Sequence, residues 1–191
     1  LTASEERYRT LIETTPDLVF AVDRHGVFTF ANQRFEEALG IAPADLVGRP
    51  FTSIIPPESM PAIIDKFKRG VRGETIPPYE VALTAKDGQR VIIEFLTSTY
   101  WDRLTGRATG RFGIGRNVTE RRQAQDALKS SEERYRTIIE NIGDGYYEVA
   151  PNGNILFAND ACCRVTGRTR EKIIGIGFRD VFFKEDIGDI I

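Results

Sequence analysis

SEERYRTLIETTPDLVF at residues 4–20 returns as SEERYRTIIENIGDGYY at residues 131–147. Laid on the first copy without a gap, the second follows it from residue 4 to residue 60 at a constant offset of 127 positions. Glycines fall in register (Gly26 with Gly153, Gly40 with Gly167, Gly48 with Gly175), as does Phe30-Ala31-Asn32 with Phe157-Ala158-Asn159. Glycines held in register imply shared backbone needs, such as positive φ or close approach. The period exceeds the roughly 20–50 residues of a solenoid unit. It fits tandem copies of a domain of about 100–125 residues.

The elements of the first copy follow from local pattern. LVFAV (residues 18–22), a DRHG turn and VFTFA (residues 27–31) predict a hairpin. The second copy has PNGN at that turn, with the Asn-Gly pair that tight hairpins favour. Asn32 is placed to cap a short helix, NQRFEEALG, that ends at Gly40. PADLVG, with Pro43 near its start, predicts another helical turn. Residues 57–73 predict a longer amphipathic helix. Met60, Ile63, Ile64, Phe67 and Val71 share one side, with Asp65, Lys66, Lys68 and Arg69 on the other. Three strands then follow: VALTA, RVIIEFLTSTYW and GRFGIG. The order predicts an α+β domain, an antiparallel sheet with helices on one face. Residues 90–101 are apolar on both faces, Val91, Ile93 and Phe95 alternating with Ile92 and Leu96. One face covers the domain's core. The other is expected to receive a flanking helix or a second subunit.

From Asn117 to Ile142 there is neither glycine nor proline, which suits one continuous helix or two abutting ones. A thin apolar seam runs through Ala124, Leu128, Tyr135, Ile138 and Ile142, with Arg121 and Ser131 interrupting it. A weak coiled coil and a helix lying on its own sheet are both open readings.

Composition sets broad bounds. Apolar residues make up 41%, charged residues 28%, and the net charge is −2. That balance argues against nucleic-acid or membrane-surface binding by bulk electrostatics. No apolar run reaches the roughly 20 residues of a spanning helix. The only cysteines, Cys162 and Cys163, are adjacent, which fits a reducing cytoplasm better than a disulfide or a zinc site. The chain begins at Leu1, and its second copy stops where the longer helix should start, so a piece of a longer parent is expected. An isolated two-stranded hairpin is marginal in water. Residues 146–191 are therefore expected to be ordered only by packing on something else.

The stretches SEERYRTLIE, DLVFAVDRHGVFTFANQRFEEALG, DLVGRPFTSIIPPE, KDGQRVIIEF and GRFGIGRNVTERR together, in this order, resemble the PAS family of sensory domains. The resemblance implies an entrance helix at residues 1–15, one PAS domain at 16–119, a connecting helix at 118–142 and the first half of a second PAS domain at 143–191. It implies a five-stranded antiparallel sheet cupped by helices around a small cavity, with the first strand between the second and the last. In such proteins the cavity holds haem, flavin, a small metabolite or nothing. The signal leaves along the exit helix to an output domain, often a histidine kinase or a cyclic-dinucleotide enzyme. Asn117 departs from the family pattern, which usually has Asp there. Asn can cap the following helix but cannot supply that salt bridge.

Family members that bind haem place a histidine on the long helix, whereas the single histidine, His25, sits in the hairpin turn. Covalent flavin chemistry of the light-oxygen-voltage type needs a cysteine after the GR dipeptide, and GRPFTSII has none. Trp101, Phe95 and Phe112 could sandwich a flavin non-covalently, although sheet aromatics are more often plain core. The glycines of GIG at 113–115 suit close packing across the sheet. No nucleophile–base pair is evident, so no catalytic residues are assigned and no enzyme activity is expected of this stretch. The expected ligand is none, or a small apolar metabolite held without a covalent bond.

Facing the amphipathic helix against the alternating strands places Phe35, Leu39, Ile63, Phe67, Leu83, Phe95, Phe112 and Ile114 in the interior. These are core positions first and ligand contacts second. Ile92, Leu96, Leu128, Tyr135 and Ile138 are the expected contacts of a homodimer. The leading functional expectation is a sensory and relay module with its output domain elsewhere in the parent, most simply a histidine kinase. The alternatives are a ligand-free dimerisation module and the sensory half of a DNA-binding regulator or cyclic-dinucleotide enzyme.

Overall fold

The computed structural model describes residues 3–182. Residues 1–2 of the expected entrance helix and 183–191 of the expected second domain lie outside the described residues. The chain divides into two compact units, Leu1–Ala124 and Gln125–Ile191.

In the first unit α1 (Ala3–Thr14) leads into β1 (Leu18–Asp23) and β2 (Phe28–Ala31). The turn between the strands is set by Asp23, whose Oδ1 accepts from the backbone N–H groups of His25 (2.8 Å) and Val27 (2.9 Å). Next come α2 (Arg34–Leu39), α3 (Pro43–Leu46), a 3₁₀ turn at Phe51–Ile54 and α4 (Met60–Val71). The helix expected from residue 57 begins three residues later. Pro56 and Pro57 donate no hydrogen bonds and bias their predecessors towards extended backbone. The remaining strands are β3 (Tyr79–Thr84), β4 (Arg90–Trp101) and β5 (Ala108–Asn117). The five form one antiparallel sheet in the order β2-β1-β5-β4-β3, with the first strand between the second and the last. The core joins Leu18, Val22, Phe35, Leu39, Ile63, Leu83, Ile93 and Phe95. Phe20, Phe28 and Phe35 meet edge to face at centroid distances of 6.1–6.4 Å.

Two expected core residues lie elsewhere. Phe112 and Ile114 are each 39% exposed, on the outer face of the sheet. The inner row of β5 is Arg111, Gly113 and Gly115. In the sheet register Leu18, Gly115 and Phe95 lie side by side, then Phe20, Gly113 and Thr97, then Val22, Arg111 and Thr99. A Cβ on Gly115 would come within 2.9 Å of the Phe95 ring, and one on Gly113 within 2.6 Å of the Leu96 carbonyl oxygen and 3.0 Å of the Phe20 ring. Neighbouring side chains and the Leu96 carbonyl occupy the inner space, so only glycine fits there, and the apolar residues of β5 turn outward. They join Leu96 and Tyr100, whose ring lies 4.5 Å from that of Phe112.

The second unit repeats several bonds of the first unit's opening half at the same offset. α5 (Thr119–Asn141) falls within the expected 118–142 and is followed by β6 (Tyr147–Val149), β7 (Ile155–Ala158), α6 (Asp160–Thr166), a 3₁₀ turn at Arg170–Lys172 and α7 (Phe178–Phe182). Among the described residues its sheet consists of β6 and β7. The isolated bridge Val27–Pro50 returns as Asn154–Gly177, and the bond from Gln33 N–H to Glu13 returns from Asp160 N–H to Glu140. Of the expected helical seam, Leu128, Tyr135, Ile138 and Ile142 are exposed, whereas Ile139 is buried. Adjacent isoleucines leave the seam undecided by one residue, about 100° of helix rotation.

Asn32 is not a helix cap. α2 is preceded by Gln33, which makes no side-chain capping bond. The Asn32 Oδ1 instead accepts from Val19 N–H (2.9 Å), and its Nδ2 donates to the carbonyls of Ile12 and Asp17 (both 3.0 Å). Asn159 makes the same bonds at the same offset, to Tyr146, Ile139 and Asp144, and also caps α6 through Cys162 N–H. In each unit one buried amide therefore ties the end of the preceding helix to the first strand.

Candidate functional site

A cavity of about 50 Å³ lies between the inner face of the first unit's sheet and α4. Phe20, Phe28, Phe35, Phe51, Phe67 and Phe95 line it, with Ile63 among them. Of the expected contacts, Phe35, Ile63, Phe67 and Phe95 line it. Leu39 and Leu83 are buried but outside its wall, and Phe112 and Ile114 are on the other side of the sheet.

The wall also has a polar part, Thr97, Lys66 and Arg111, that is not among the expected contacts. Arg111 is only 4% exposed, yet it lines the cavity. Its Nη1 donates to Thr99 Oγ1 (3.0 Å) and its Nη2 to Thr97 Oγ1 (2.6 Å). The Thr99 hydroxyl in turn donates to the carbonyl of Gly70 on α4 (2.9 Å). Gly70 is what lets the guanidinium lie there, since a Cβ at that position would stand 1.2 Å from Nη1. Among the described residues no carboxylate forms an ion pair with Arg111. Burial pulls its pKa below the ordinary value, partly offset by Tyr79. The Tyr79 phenol is pushed up by burial, with the charge of Arg111 and a hydrogen bond with Thr97 acting the other way. Lys66 also lines the cavity, its Nζ 5.4 Å from the centroid of the Tyr79 ring. The signal for Arg111 lay in the alternation of GRFGIG, where the arginine shares its parity with the two glycines that face inward.

The same strands hold the start of α5. Asn117 Oδ1 accepts from the N–H of Thr119 (3.0 Å), the first residue of α5, from one position before the cap residue Val118. The Thr119 hydroxyl accepts from Ile92 N–H on β4 (2.9 Å). Arg122 grips Glu80 of β3 with Nη2 at 2.6 Å and Nε at 2.9 Å, and Arg121 lies 3.4 Å from Glu94 of β4. Arg121 and Arg122 thus pair the first turn of α5 with carboxylates of the sheet.

The rings weighed as a flavin sandwich are dispersed: Phe95 faces the cavity, Phe112 the outer surface, and Trp101 stands half exposed beside Gly73. His25 is exposed in its turn, its Nε2 accepting from Arg24 Nε (3.0 Å). Cys162 is buried on α6, and burial, with Cys163 beside it, pushes its thiol pKa up, away from nucleophilic thiolate. Among the described residues no cluster of potential metal ligands is found, and no helix is long and apolar enough to cross a membrane.

A family model described as the PAS fold matches residues 12–123, and a second PAS-fold model matches residues 133–188. The chain is 30% identical over 134 residues to the aerobic respiration control sensor protein ArcB of Escherichia coli (strain K12), covering 70% of this chain and 17% of ArcB. It is also 30% identical over 131 residues to the two-component sensor PprA of Pseudomonas aeruginosa, covering 65% of this chain and 13% of PprA. The chain therefore spans less than a fifth of these relatives' length. In fold it resembles a crystal structure of a PAS domain from Colwellia psychrerythraea, with a TM-score of 0.56 at 19% identity over 61% of this chain and 98% of that one.

Proposed function

The chain belongs to the PAS fold family, and from that premise we propose that it is a sensory and signal-relay module, reading a small molecule in the first unit's cavity and passing the response along α5. One observation carries this reading. β4 and β5 hold both the polar wall of the cavity (Thr97 and Arg111, the latter braced by Thr99) and the anchors of the exit helix (Ile92, Glu94, Asn117). A shift of either strand at the cavity is felt at the helix start, because both sites share one hydrogen-bonded ladder. The sensor names of the relatives support an output domain elsewhere in the parent, and a histidine kinase is the output we propose. The two unbridged cysteines, one of them buried, support a reducing, cytoplasmic setting.

Hydrogen exchange over residues 119–124 tests the relay. Glu80→Ala removes the acceptor of Arg122 and is expected to raise exchange there by the equivalent of about 0.5–1 kcal/mol, the range of a partly exposed, multiply bonded pair. Arg111→Met, far from α5 in sequence, is expected to alter exchange in the same segment, since coupling between sites is reciprocal. Exchange unchanged in both variants would refute the relay.

The outer face of the sheet favours self-association as a companion role. Leu96, Phe112 and Ile114 present apolar surface beside half-buried Ile92, and Leu128, Tyr135 and Ile138 are exposed on α5. We propose that these surfaces make the homodimer contacts. Light scattering should find concentration-dependent dimers, weakened at least about tenfold by Leu96→Glu combined with Ile114→Glu, which would bury unpaired charge. A monomer at all concentrations counts against it.

A further inference from the structure

We propose that the cavity of the first unit is an anion-recognising site whose ligand is a small organic acid, with the carboxylate on Arg111 and a short apolar body among the phenylalanines. The proposal rests on the sensory reading above and gives that site a ligand class.

Arginines are rarely buried without a partner of opposite charge. Arg111 is buried, keeps its proton under any ordinary condition, and among the described residues donates only to the neutral hydroxyls of Thr97 and Thr99. Those two bonds use two of its five N–H donors and none of its charge requirement. The second cation on the wall, Lys66, adds to the same potential, and no carboxylate is among the lining residues. A small concave space with two cations and no anion concentrates negative charge. Planar guanidinium geometry favours a carboxylate, which it can hold through two parallel bonds.

The site is built rather than incidental. Gly70 on α4 vacates the volume the guanidinium needs, Thr97 and Thr99 are consecutive inward positions of β4, and Arg111 is an inward position of β5. Three elements therefore converge to fix one cation against the cavity. The rest of the wall is aromatic and aliphatic, which excludes a strongly hydrated inorganic ion as the best ligand and favours an acid with an apolar tail. The volume, about 50 Å³, is a fraction of the roughly 150 Å³ of a cavity that takes benzene, so the tail is short unless side chains move.

The test is an NMR titration of the whole chain with formate, propionate, benzoate, propionamide and benzamide, following the arginine Nε–Hε signals and the amides lining the cavity. Propionate should bind at least tenfold more tightly than propionamide and more tightly than formate or the larger benzoate, and Arg111→Gln should abolish the preference for the acid. The acid–amide comparison in the parent chain decides the matter even if the variant does not fold. Equal binding of acid and amide overturns the carboxylate assignment while leaving a ligand-binding cavity in place. No binding by any of the five overturns both the assignment and the small-molecule reading on which it rests.

Discussion

Replacing Asn32 with alanine is expected to destabilise the first unit by about 3–4 kcal/mol. The side chain is fully buried and makes three bonds, to Val19, Ile12 and Asp17. Its removal leaves one backbone N–H and two carbonyls to find new partners, at about 1–3 kcal/mol for each group that stays buried. Asn32→Asp has the same shape but is expected to do no better at neutral pH. The carboxylate can still accept from Val19, but it donates nothing to the two carbonyls and faces them with a negative charge. Folding then favours the protonated acid, so the folded-state pKa lies above the ordinary value near 3.9. Relative to the parent chain, this variant should be most stable in acid and lose stability as pH rises through that value to the folded pKa. Trp101, the only tryptophan, lies in the first unit, so its fluorescence follows that unit alone during denaturation. An alanine variant within 1 kcal/mol of the parent would mean that the buried amide is dispensable.

Gly70→Ala is expected to lower stability by about 2 kcal/mol, against the usual sign for a helix interior. Alanine ordinarily gains up to about 1 kcal/mol over glycine in a helix. Here the new methyl would stand 1.2 Å from Nη1 and 2.0 Å from Cζ of Arg111. The guanidinium must leave, and with it go two charge-assisted bonds worth roughly 1.5–3 kcal/mol each. Part of that loss is recovered by the helix. The thermal midpoint of the first unit should fall by on the order of 5–10 °C. Combining the change with Arg111→Met removes the clash, so the double variant should be more stable than the sum of the single effects indicates. A midpoint at or above the parent's would show that Arg111 is not held where Gly70 places it.

Much of the architecture was legible in the sequence because it depends on local backbone needs. The three glycine pairs of the repeat have matching positive φ: 82° and 86° at Gly26 and Gly153, 69° and 66° at Gly40 and Gly167, 86° and 82° at Gly48 and Gly175. A positive φ is a property of one residue, and only glycine adopts it without strain, so the pattern of glycines reports it directly. Likewise the alternation of residues 90–101 determined a long strand with two apolar faces, and the motif order determined the sheet.

Tertiary structure alone decided which side of β5 faces the core. Alternation along a strand has two possible parities, and an extended backbone favours neither. Choosing the apolar parity put Phe112 and Ile114 inside. The choice was made instead by groups of the neighbouring strands, the Leu96 carbonyl, Thr97 and Phe20 at Gly113 and Ile93 and Phe95 at Gly115, which leave no room for a Cβ and so bring Arg111 inward with the two glycines. Asn32 illustrates the same division. Its place before a helix suggests a cap, whereas its partners Ile12 and Asp17 lie 20 and 15 residues away and meet it only once the helix, strand and turn have closed. The sequence by itself determined the elements and their repetition, which are set by each residue's own backbone and neighbours. The cavity and its buried cation belong to tertiary structure, because they depend on which side chains from distant strands reach the same space first.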